Sequence, residues 1–126
     1  MLTISTLVQR FGLYCVVGFC AFVTDYSVFL AALTAGTGPY VANVIGISAG
    51  VTVSFSLNRK YNFRKEDEPV RRAARFLTVA LGGMILSTLL IMLLLAHGVD
   101  VRLAKAASMI VVFGVQFTAN LLWTFR

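Results

Sequence analysis

The sequence predicts an all-α membrane protein: four transmembrane helices built as two parallel two-helix repeats, with the N- and C-termini and a basic central segment on the cytoplasmic side. Three observations carry this prediction. Of 126 residues, 59% are apolar and 13% charged, with a mean hydropathy of +0.87, whereas soluble domains hold about 45–50% apolar and 25% charged residues. The apolar residues fall in four runs, each close to the roughly 20 residues that cross about 30 Å of hydrocarbon. A motif running from Asn to Arg closes both the second and the fourth run.

The first span is predicted over about 11–33, and its single acidic interruption is Asp25. The stretch before Arg10 carries no side-chain charge and so lacks the basic start of a cleaved signal peptide. Span one is therefore expected to stay in the mature chain. Span two, about 40–57, is entered through Gly36, Gly38 and Pro39, residues that break helices at little cost. A polar loop is expected from Asn58 to Arg75. Span three, about 76–96, is nearly continuous Leu, Ile, Val, Met and Gly, and span four covers about 103–122. Residues 1–126 are expected to form one transmembrane domain.

Orientation follows from the basic residues, which are retained on the cytoplasmic side of a membrane. Arg10, Arg59, Lys60, Arg64, Lys65, Arg71, Arg72, Arg75 and Arg126 all fall on one side of the predicted topology. Arg102 and Lys105 fall toward the other. The net charge of +6 is thus divided between apolar spans rather than spread over a continuous face. This argues against nucleic acid and for anionic lipid or a lipid-linked phosphate as partner.

The repeat is read from matched spacing. Asn58 to Arg64 and Asn120 to Arg126 both read Asn, two residues, a large aromatic, one residue, Phe-Arg, and Phe55 and Phe117 extend the match. Arg10-Phe11 and Gly18 correspond to Arg75-Phe76 and Gly83. Two helices per repeat give both halves the same topology, hence a parallel duplication. Aromatic-plus-Arg pairs also mark any membrane interface, but that leaves the matched Asn residues unexplained.

Asp25 is the acid that needs a reason, since an ionisable group in hydrocarbon costs at least about 2.5–3.5 kcal/mol unless paired, hydrated or protonated. At about 1.5 Å per residue from Phe11 it lies about 21 Å along its helix, at a depth similar to Asn43 and Lys105. These three are expected to converge, with Lys105 as counter-charge, either as a structural ion pair or as a site for a substrate group or proton. Ala42, Gly46, Gly50, Ser54 and Asn58 share one face of span two. The corresponding row in span four is Ala104, Ser108, Val112, Gln116 and Asn120. Close helix packing explains such rows, and a polar groove lined by Ser54, Asn58, Gln116 and Asn120 is the functional alternative. Arg59, Lys60 and Arg64, next to Asn58, present donors suited to a lipid phosphate, while topology alone accounts for much of the remaining charge. Cys15 and Cys20 are five apart and are read as buried apolar thiols, without a disulfide. His97 reads as a solvated residue near the outer interface. No enzyme motif, catalytic residue, metal set or cofactor loop is recognisable, so the chain is read as a non-enzyme.

Taken together, these residues resemble the GtrA-like family of four-span membrane proteins of cell-surface polysaccharide synthesis. The match rests on Arg10-Phe11, Gly18 and Asp25, on Asn43, on Ser56 to Phe63, on Arg75-Phe76, and on Asn120 to Phe125. Tyr26 is a mild departure, since the family usually has Phe or a similar residue after its span-one Asp. The resemblance implies translocation of a polyprenyl-phosphate-linked sugar to the outer leaflet of a bacterial or archaeal cytoplasmic membrane, for use by a glycosyltransferase. On that reading Arg59, Lys60 and Arg64 capture the phosphate, Asn58 and Asn120 admit the head, and Asp25, Asn43 and Lys105 line the outer path. Four helices barely enclose such a head, so a homo-oligomer is expected, with the small-residue face of span two as candidate interface. A membrane subunit that anchors a glycosyltransferase is the alternative. A small multidrug-type antiporter is weaker, having no need of a phosphate-receiving mouth.

Overall fold

The computed structural model describes residues 3–61 and 69–124, all of its regular structure α-helical: α1 (Ile4–Thr34), α2 (Pro39–Tyr61), α3 (Pro69–Ala96) and α4 (Val101–Thr124). Within them Cys15–Thr34, Pro39–Leu57, Leu77–Ala96 and Val101–Ala119 are each long and apolar enough to cross a bilayer. Large apolar side chains cover the outside of the bundle, among them Val16, Phe19 and Val23 on α1 and Leu81, Ile85 and Leu89 on α3. In water such a surface is an aggregation site, whereas hydrocarbon solvates it.

Two matching turns set the up-and-down course of the helices. Gly36 (φ 101°) and Gly98 (φ 82°) adopt the left-handed conformation that follows the last helical residues of α1 and α3. Gly36 N–H donates to Leu33 C=O (3.0 Å) and Thr37 N–H to Ala32 C=O (3.1 Å); Gly98 N–H donates to Leu95 C=O and Val99 N–H to Leu94 C=O. Both are Schellman motifs that satisfy carbonyls a helix end would otherwise orphan. Pro39 then opens α2, and the Asp100 carboxylate caps α4 by accepting from Arg102 N–H (3.1 Å).

The segment expected as a polar loop from Asn58 to Arg75 is helical at both ends. Helix α2 continues to Tyr61 and α3 already begins at Pro69, because a charge run has no power to break a helix and a proline in the first turn gives up no needed N–H.

The helices form a ring in chain order, α1 on α2, α2 on α3, α3 on α4 and α4 back on α1, with α1 and α2 packed most closely. The small-residue face of α2 explains that closeness. A Cβ on Gly46 would stand 2.6 Å from Asp25 Oδ1 and 2.7 Å from the Asp25 carbonyl oxygen, and one on Gly50 would stand 2.9 Å from the Ala21 carbonyl oxygen. Gly46 and Gly50 are therefore consumed inside the protomer, against α1. This removes the small-residue face of α2 as an interface between copies. Cys15 and Cys20 are also corrected: both are free thiols, Cys15 exposed and Cys20 half-buried, rather than buried.

Candidate functional site

The four helices converge on one polar cluster. Lys105 and Asn43 lie four residues into α4 and α2, and Asp25 nine residues before the end of α1, so all three sit within roughly 6–14 Å of the same end of the bundle. Lys105 is fully buried, at 0% exposure, and its Nζ is 2.7 Å from Asp25 Oδ1. The same Nζ donates to Asn43 Oδ1 at 2.8 Å and lies 5.3 Å from the centre of the Phe29 ring. Carboxylate, amide oxygen and aromatic face together replace the water that this ammonium loses.

The cluster extends onto α3. Ser87 Oγ lies 3.3 Å from both Asn43 Oδ1 and Ser108 Oγ, and Ser108 donates to the Lys105 carbonyl at 2.7 Å. Asn43 Nδ2 donates to Thr88 Oγ1 at 3.2 Å, and Thr88 donates in turn to Met84 C=O. Asn43 is thus held from both ends of its amide, and its oxygen is aimed at Lys105. Asp25 is held differently. Its buried Oδ1 meets Lys105 Nζ at 2.7 Å and has no other partner. Gly46 leaves room for that oxygen against α2.

Of the residues singled out in the sequence, the structure brings Asp25, Asn43 and Lys105 together. Gln116 lies elsewhere, at the α3–α4 seam, where its Nε2 donates to Val79 C=O at 3.3 Å and packs into the space left by Gly83. Ser54 is half-buried on α2. The side chains of Asn58, Arg59, Lys60 and Asn120, and the whole of Arg64, lie outside the described residues. Sequence reasoning missed Phe29, Ser87, Thr88 and the polar role of Ser108. The usable signal was that Ser87-Thr88 is the one polar pair in the apolar stretch from Val79 to Ala96.

Outward-facing apolar helices around a neutralised charge pair define a polytopic membrane protein, since a water-soluble bundle has no use for that distribution. The sequence matches the family model described as GtrA/DPMS, transmembrane domain, over residues 13–125. The chain belongs to this family and is a multi-pass membrane protein of polysaccharide synthesis. It is similar to the uncharacterized membrane protein YngA of Bacillus subtilis (strain 168), with 25% identity over 126 residues that cover 98% of this chain and 84% of that one. No solved structure matches it.

Proposed function

We propose that this protein moves a polyprenyl-phosphate-linked sugar from the cytoplasmic to the outer leaflet, without itself performing catalysis. The observation that carries the reading is the fully buried Lys105 ammonium, neutralised by a carboxylate oxygen that has no other bond. An anchor for another enzyme gains nothing from a charge pair inside the bundle, where apolar packing of similar volume is commonly as stable or more so. A transporter of phosphate esters does. A phosphate oxygen carries the same charge as the Asp25 carboxylate and can take its place on Lys105, so the ammonium stays neutralised, while the displaced carboxylate has to be hydrated through the exposed part of its side chain. Asn43, clamped by Thr88, holds Lys105 in position during that exchange.

In this mechanism Arg59, Lys60 and Arg64 capture the phosphate at the cytoplasmic face, and Asn58 and Asn120 admit the head between the helices. Membership of a family associated with polysaccharide synthesis supports the lipid-linked sugar as cargo. The test is translocation of a polyprenyl-phosphoryl sugar in proteoliposomes of the purified chain. Acceleration by the wild type, lost at least tenfold in Lys105→Met and in Asp25→Asn, is expected. Neutralising Arg59 and Lys60 is expected to weaken binding of the lipid phosphate. A purified chain that moves no lipid but stably captures a glycosyltransferase would overturn transport in favour of the anchoring role.

A further inference from the structure

At the end of the bundle that holds the Lys105 cluster, α1 and α4 leave a cleft of about 390 Å³ lined by Leu30, Leu33, Thr34 and Arg102. We infer that this cleft is a second phosphate site, which takes the phosphate head of a polyisoprenoid lipid on Arg102 and the first isoprene units against Leu30 and Leu33. The inference rests on the lipid-phosphate reading above and adds a receiving site on the face opposite the Arg59 to Arg64 segment.

Size comes first: the cleft falls within the roughly 300–1,000 Å³ of small-molecule sites, and Leu walls add nothing to the binding of a hydrated inorganic ion. The charge is placed for hand-over. Arg102 is three residues before Lys105, so the two project to the same side of α4 about 4.5 Å apart along the axis. Tyr26, next to Asp25 on α1, donates its hydroxyl to the Arg102 carbonyl at 3.2 Å. This bond ties the mouth of the cleft to the helix that carries Asp25. The acid nearest in sequence, Asp100, uses Oδ2 on the Arg102 backbone N–H. An anion leaving Lys105 along the α1–α4 seam therefore meets a guanidinium one turn further out, a group whose fork of donors suits phosphate oxygens better than an ammonium does. The seam itself is lightly packed compared with α1 on α2, so a lipid tail can stay in the bilayer while its head sits in the cleft.

The experiment uses the full chain in phosphatidylcholine nanodiscs, with Arg59→Gln, Lys60→Gln and Arg64→Gln introduced so that the opposite face is silent. Calorimetric titration with a polyprenyl phosphate is expected to leave measurable binding in that background. Adding Arg102→Gln should weaken it about tenfold or more, Arg102→Lys should retain part of it, and Leu33→Trp, which fills the cleft without touching charge, should also weaken it. Inorganic phosphate at the same concentration should not displace the lipid. Three results overturn the site: no residual binding in the background, binding unchanged in both Arg102→Gln and Leu33→Trp, or full displacement by inorganic phosphate, which would make it a site for the free ion. Arg102-dependent binding without translocation by the wild type would sink transport and leave this site standing. Translocation indifferent to Arg102 would do the reverse.

Discussion

Removing the charge of Lys105 leaves the half-buried Asp25 carboxylate with its buried Oδ1 unpaired, and the size of the penalty follows from the geometry. At 2.7 Å and an effective dielectric constant of about 20, the pair attracts by about 6 kcal/mol. Part of this offsets the dehydration of both groups, and breaking a buried pair typically costs about 3–5 kcal/mol. Lys105→Met is therefore expected to destabilise the bundle by about 3 kcal/mol, and Asp25→Asn by a similar amount. The two substitutions together should cost no more than about 1 kcal/mol, because no uncompensated charge remains. The assay is unfolding in mixed micelles titrated with sodium dodecyl sulfate, read as a double-mutant cycle, with translocation measured in parallel. A coupling energy under about 1 kcal/mol would refute the electrostatic argument. A double variant that is stable and still moves lipid would reduce the pair to a structural role.

Two further outcomes are expected. Gly46→Ala brings a methyl group to 2.6 Å from Asp25 Oδ1 and 2.7 Å from the Asp25 backbone oxygen, so α1 and α2 must separate, at about 1–3 kcal/mol, with loss of transport. Wild-type stability in the same micelle titration would show that the α1–α2 contact is looser than described. Gln116→Leu removes one side-chain bond to the Val79 carbonyl, worth about 0.6 kcal/mol in membrane bundles, and leaves the Lys105 cluster intact. Near-normal transport is the expected result, and abolished transport would restore Gln116 to the path.

The number of spans and the meeting of Asp25, Asn43 and Lys105 were legible because each of these residues interrupts an apolar run at nearly the same depth, and helical rise converts sequence distance into depth. Ser87 and Thr88 were not legible, because a hydroxyl in a membrane helix can satisfy itself. Thr24, Thr34, Thr52, Thr78 and Thr118 all donate to the carbonyl four residues back. Thr88 does the same while also accepting from Asn43, and nothing in its sequence neighbourhood separates it from the others. The Gly46–Gly50 row announced a close approach, but a spacing of four names a face and not the helix opposite it. It proved to be α1 of the same chain. The early start of α3 was hidden by the charges around Pro69, which read as loop although they are compatible with a first helical turn.

The pairing of Lys105 with Asp25 also sets the electrical behaviour of the bundle. Their charges cancel within 2.7 Å, so the empty core contributes almost no net charge for a transmembrane voltage to act on. Under the proposed exchange, the voltage acts instead on the phosphate cargo. With the cytoplasm negative, an anion travelling outward gains about 2.3 kcal/mol per unit charge for each 100 mV. The resting membrane potential then drives the loaded step in the export direction and leaves the return of the empty protein voltage-independent.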